Sequence, residues 1–107
     1  MRRLAFVVQR YGDGVTGGSE MMCRSIAERL ATHVDLDVLT SCAVDYTTWE
    51  NRFPAGAETL NGVTVRRFPA AQPREREKLA SLSGRVLHQP HSEKDETEWI
   101  RAQGPLV

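Results

Sequence analysis

The chain opens on a run of five apolar residues, Leu4 to Val8. An uninterrupted run of this length predicts a strand buried on both faces, as in a parallel sheet covered by helices. From Ser19 to about Thr32 the period changes. Met22, Cys23, Ile26, Ala27, Leu30 and Ala31 recur at helical spacing, with Glu20, Arg24, Ser25, Glu28 and Arg29 opposite. That is an amphipathic helix, in which Glu20 and Arg24 can pair at i,i+4. Val34 to Thr40 returns as a second strand, so the first forty residues make a right-handed βαβ unit. A loop rich in Thr, Asp, Asn and Pro follows from Cys42 to about Ala57. Thr59 to Val65 then predicts a hairpin about Asn61-Gly62, a pair that accepts φ > 0 at both positions of a type I′ turn. Val63, Val65 and Phe68 are expected to face inward, Thr64, Arg66 and Arg67 outward.

Past Pro69 the pattern weakens. Leu79, Leu82, Val86 and Leu87 outline a helix that Gly84 is expected to interrupt. Ser92 with Asp95 resembles a capping box for a short helix through Trp99 and Ile100, and Gly104-Pro105 stops it. The expected organisation is a Rossmann-like α/β core with a mostly parallel sheet over residues 1–69, then a linker and a helical C-terminal tail over residues 70–107. A strand as apolar as Leu4–Val8 calls for neighbours on both sides, and the chain offers strands for one side only. Together with the apolar end Leu106-Val107, this predicts the front part of a larger protein, or another element over the open edge.

Composition narrows the function classes. The chain has 107 residues, 40% of them apolar and 26% charged, with Lys+Arg and Asp+Glu equal at 14. One folded domain with a small core fits these values. A neutral balance argues against a nucleic-acid surface. No segment reaches bilayer-spanning length. Met1-Arg2-Arg3 resembles a signal-peptide start, but the apolar run ends at Gln9 without a small-residue cleavage site. Two cysteines, Cys23 and Cys42, fit a reducing cytoplasm and the role of small buried hydrophobes.

The candidate chemistry lies between the first strand and the first helix, from Arg10 to Glu20. A glycine-rich connection into a helix leaves backbone N–H groups free at the positive end of the dipole, where a phosphate can bind. Three readings of the glycines stand open. Gly12, Gly14 and Gly17 spell G-x-G-x-x-G, which would make an NAD(P)- or flavin-binding oxidoreductase fragment. However, three residues separate the strand from Gly12, and the second strand lacks a terminal acidic residue, with Asp37 mid-strand and Asp45 beyond its end. The glycines could instead serve only a tight turn. In the third reading Gly17-Gly18 sits at the helix start and Gly12–Val15 forms a mobile flap.

A family resemblance bears on the third reading. Val7-Val8-Gln9-Arg10-Tyr11, Val15-Thr16-Gly17-Gly18-Ser19-Glu20 and Ile26-Ala27-Glu28-Arg29-Leu30 carry its first part. Val38 to Ala43, Asp45-Tyr46-Thr47-Thr48-Trp49 and Asn61 to Pro69 continue it, with a fainter echo in Trp99 to Pro105. In order and spacing these segments resemble the N-terminal domain of retaining glycosyltransferases of the GT-B fold, family 4. The resemblance implies a cleft between two Rossmann-like domains. The C-terminal domain would hold most of a nucleotide-sugar donor, and this domain a sugar or other acceptor. It places Gly17 and Gly18, with Thr16 and Ser19, near the donor diphosphate, and implies no metal and no other cofactor. The family's paired glutamates and its diphosphate-binding Arg and Lys belong to the second domain and are not in this chain. The resemblance therefore implies no transferase activity from these residues alone, and a non-catalytic remnant is the non-enzyme alternative.

Arg10 beside the glycines could meet a phosphate or stay a solvated arginine. Asp45, Tyr46 and Trp49 follow the second strand's carboxyl end, where ligands of open α/β sheets bind, and are candidate acceptor contacts. His88-x-x-His91 lacks further ligands nearby, so no metal site is expected. His33 is read as a charge partner for the helix C-terminus, and Arg74 to Lys78 as a solvated run of alternating sign.

Overall fold

A computed structural model describes residues 2–107. It is an α/β protein with one four-stranded, mostly parallel sheet and three helices. β1 (Arg3–Val7), α1 (Gly18–Leu30) and β2 (Asp35–Ser41) form the expected parallel unit. β3 (Gly56–Leu60) and β4 (Val63–Phe68) form the hairpin, with Asn61 at φ 50° and Gly62 at φ 82° in its turn. β4 pairs parallel to β2, giving the order β1-β2-β4-β3. The carboxyl ends of β1, β2 and β4 therefore share one edge.

Alternation along the strands decides the core. Leu36 and Val38 of β2, Val63 and Val65 of β4 and Phe6 of β1 share one face and pack with Ala27, Cys23 and Leu30 of α1. Among the described residues no helix packs broadly across the opposite face. Val7 is 81% exposed and Phe68 46%. Beside them Asp37 bridges Arg3 at 3.4 Å and Arg66 at 3.3 Å. The expectation that β1 is buried on both faces is thus corrected. Among the described residues β1 pairs only with β2, at the sheet edge, and the run is apolar without being enclosed.

Two further assignments change. Phe68 lies on the bare face, while Arg67, expected outside, is buried within. The ladder to β2 keeps strict alternation through Thr40↔Arg67 and Ser41↔Phe68, so the pleat overrides hydropathy. The Arg67 guanidinium bridges Glu58, donates from Nη2 to the Tyr11 carbonyl at 2.8 Å and stacks 4.0 Å from the Phe53 ring centroid. Gly84, expected to interrupt, sits inside a continuous α2 (Arg76–His88). α3 (Glu93–Gln103) begins with the anticipated capping box: Ser92 Oγ accepts from the Asp95 N–H, and the Asp95 carboxylate accepts from the Ser92 N–H.

α2 and α3 pack chiefly on each other, joined by Trp99 Nε1 donating to Ser83 Oγ at 2.9 Å. The molecule is consequently elongated, 49 × 25 × 21 Å, with a radius of gyration of 16.0 Å. A compact chain of this length would have about 13 Å. No helix among the described residues is long and apolar enough to cross a membrane.

Candidate functional site

Connections from all three parallel strands meet at the carboxyl edge. From β1 comes Gln9 to Gly17, from β2 Cys42 to Asn51, and from β4 Pro69 to Arg74. They are locked together by backbone groups. The Asn51 side chain donates to the Ala70 carbonyl at 3.1 Å and accepts from its N–H at 2.8 Å. The Arg74 N–H donates to the Thr48 carbonyl at 2.8 Å. Trp49, 3% exposed, packs with Ala43 and Ala70 as a second small core. Its backbone stands at φ 55°, a conformation strained for a bulky residue. The ring is held by its burial and by Nε1 donating to the Gln103 carbonyl at 2.7 Å.

Arg10 organises the site. It is 6% exposed rather than solvated. Nη1 donates to the Val44 carbonyl at 2.8 Å, and Nη2 donates to the Thr16 carbonyl and to Glu20 Oε1, both at 2.9 Å. It thereby ties the β2 loop to the start of α1. Its guanidinium carbon lies 5.3 Å from the Tyr46 ring centroid, within cation–π range. The backbone reason for Gly17 is plain: φ is 139°, and a Cβ there would overlap the Glu20 carboxylate and stand 3.1 Å from Arg10 Nη2. α1 has no side-chain cap at Gly17. The carboxylate of Glu20 lies at that end instead, also accepting from Ser19 Oγ at 3.0 Å. Burial alone would raise the Glu20 pKa. Its own backbone N–H, the Arg10 guanidinium and the Ser19 hydroxyl outweigh burial and hold it below the ordinary carboxylate range.

A cleft of about 360 Å³ lies against these groups, lined by Arg10, Glu20, Tyr46, Trp49, Arg74 and Gln103, among others. Of the sequence-stipulated contacts, Arg10, Tyr46 and Trp49 meet there. Thr16, Gly17 and Ser19 adjoin it through Arg10 and Glu20, and Gly18 is the first residue of α1. Asp45 does not line it. Its Oδ1 accepts from the Thr47 N–H and hydroxyl at 2.8 and 2.7 Å, which fixes the loop turn. Trp49 is a wall more than a free stacking surface.

Three features were not anticipated. Arg74 reaches the site, donating to the Tyr46 carbonyl at 2.8 Å and to Gln103 Oε1 at 3.0 Å. The C-terminal segment crosses the edge, where the Ala71 N–H meets the Leu106 carbonyl at 2.6 Å. Glu20 pairs with Arg10, whereas Arg24 pairs with Asp13 and Glu28, both at 2.9 Å, in place of the expected Glu20–Arg24 pair. The Gly12–Val15 segment, expected as a flap, buries Val15, closes on itself through the Val15 N–H and the Gly12 carbonyl, and carries the exposed Asp13 that bridges Arg24. Gly12 itself is closely packed on one side, where a Cβ would meet the Arg67 guanidinium and the Phe53 ring.

His91 is occupied locally, with Nδ1 at 2.9 Å from the Gln89 carbonyl and Nε2 at 2.8 Å from Glu96. Among the described residues no three His, Cys, Asp or Glu side chains gather to hold a metal. Comparison with known proteins finds no matching family model, no matching curated protein and no matching solved structure.

Proposed function

We propose that this chain is the acceptor-side, N-terminal part of a GT-B-type glycosyltransferase. The observation that carries the reading is the α1 start, where Gly17 and buried Arg10 adjoin a cleft at the carboxyl edge of a parallel sheet. On this reading a nucleoside diphosphate lies with its phosphates toward Gly17, Gly18 and Ser19, and Thr16 shapes the turn. Helix N–H groups and Arg10 stabilise charge as the donor's C1–O bond breaks. The acceptor hydroxyl oxygen bonds to that carbon. The diphosphate leaves with the electron pair and takes up the hydroxyl proton. Tyr46 offers the exposed aromatic face for the acceptor, 54% accessible. The 107 residues bind ligand on this account without turning it over.

The dinucleotide reading is less favoured, because β2 ends on Thr40 and Ser41, without the acidic residue that would take a ribose hydroxyl. Calorimetric titration separates the two. Nucleoside diphosphates should bind weakly, with Kd on the order of 1 mM (about −4 kcal/mol), and inorganic pyrophosphate should compete. Saturation by NAD(P) at micromolar concentration, with no response to nucleoside diphosphates, would overturn the proposal in favour of an oxidoreductase fragment.

A further inference from the structure

Glu20 stands between two cavities. On one side is the cleft of about 360 Å³ holding Arg10 and Tyr46; on the other is one of about 310 Å³ holding Arg24, Met21 and Gly12. Its carboxylate occupies the Arg10 side, where a helix start and a buried guanidinium coincide. The guanidinium is only partly used. Nε and Nη2 form one side of the arginine fork, which matches two oxygens of a single oxyanion. Glu20 takes Nη2, while the buried Nε–H has no acceptor. An unpaired donor on a buried cation is costly, and because the second Glu20 oxygen accepts from Ser19 Oγ, an anion with two oxygens free for the fork would remove that cost. The other cavity offers Glu20 a second partner. Arg24 lies one turn along the same face of α1, the spacing at which Glu and Arg pair. One of its present partners, Asp13, is 79% exposed and holds it weakly.

From this we infer that Glu20 is a displaceable latch. An incoming phosphoryl group takes both Nε and Nη2 of Arg10 and the free N–H groups of the α1 start, while Glu20 turns toward Arg24. In the unliganded chain the carboxylate is a built-in competitor. The inference rests on the proposed function for its ligand class, a diphosphate-bearing donor, and adds how the site selects it: an anion of higher charge than the Glu20 carboxylate displaces the latch, a singly charged carboxylate does not.

The test is pyrophosphate titration of the ¹⁵N-labelled full chain, following the Gly18 and Ser19 amides and the Arg10 Nε–H. Wild type should show saturable shifts at all three groups. Glu20→Gln, which keeps the shape and removes the charge, should bind on the order of tenfold tighter. Glu77→Gln on α2, the same charge change elsewhere, should differ by less than about twofold. Acetate should leave the Arg10 Nε–H unmoved in wild type. If Glu20→Gln binds no tighter while wild type still responds at Gly18 and Ser19, the latch is wrong and the anion site survives. If neither protein responds there, latch and site both fail. Should Glu20→Gln not fold, Glu20→Asp, one methylene too short for the Arg10 fork, carries the same expectation. Failure of both to fold even with pyrophosphate would make Glu20 a structural residue and overturn the latch.

Discussion

Gly17 and Arg10 show what a single position can and cannot announce. A glycine at the head of a helix pattern is visible in the sequence, and its φ of 139° is the backbone reason for it. That Arg10 is buried is not visible, because its acceptors, the carbonyls of Val44 and Thr16, come from loops brought together only by the sheet. The same holds for Glu20. Local spacing pairs it with Arg24, whereas the fold presents it to Arg10, a stronger partner because both are largely out of water. Gly17→Ala sharpens the point. The new methyl meets the Glu20 carboxylate, and the backbone must stay in a region alanine avoids. It should cost about 1–3 kcal/mol of stability and abolish diphosphate binding, read by denaturant unfolding and calorimetry. Gly18→Ala meets nothing within 4 Å and should be far milder.

At the scale of elements, local rules succeeded where the signal is local. The existence of α1, the Asn61-Gly62 turn and the Ser92–Asp95 box each depend on residues within one or two turns of chain, although Met22 and Ile26 of the expected apolar stripe are exposed and only Ala27 of α1 is fully buried. Sheet position did not follow. Five apolar residues at the start suggested a central strand, yet β1 lies at an edge with one face bare. Hydropathy cannot report which neighbours exist. In β4, Val63 and Val65 inward already place Arg67 inward by alternation, against its hydropathy. α2 offers a clean check on helix chemistry. Gly84 lies mid-helix, and a Cβ there meets nothing within 4 Å. Gly84→Ala should therefore stabilise the chain by about 0.5–1 kcal/mol, seen as a raised urea midpoint with unchanged slope. A destabilised variant would mean that α2 is broken at Gly84 in solution.

For the whole molecule, charge sets the working range. Hydrogen bonds from Asn61 to Glu28, from Thr47 to Asp45 and from the Ser92 N–H to Asp95 hold these carboxyls below their ordinary values, and Glu20 is lowered as described. A depressed acid pKa stabilises the fold above the unfolded value and loses that contribution as pH falls through the folded one. The thermal midpoint should be nearly flat from about pH 5 to 6 and fall steadily below the unfolded values of 3.8–4.5. A midpoint unchanged between pH 5 and 3 would mean these contacts do not persist in solution. At the alkaline end burial, with the Glu28 charge, pushes the Tyr11 phenol up to about 12, so the core tyrosine stays neutral across this range.

All of this converges on one corner of the sheet, and a crystal structure of the chain grown with a nucleoside diphosphate examines it most directly. The account predicts a phosphoryl group within hydrogen-bond distance of the Gly18 and Ser19 N–H groups and of the Arg10 fork, with Glu20 turned toward Arg24. A diphosphate bound elsewhere, with Glu20 still on Arg10, would contradict it.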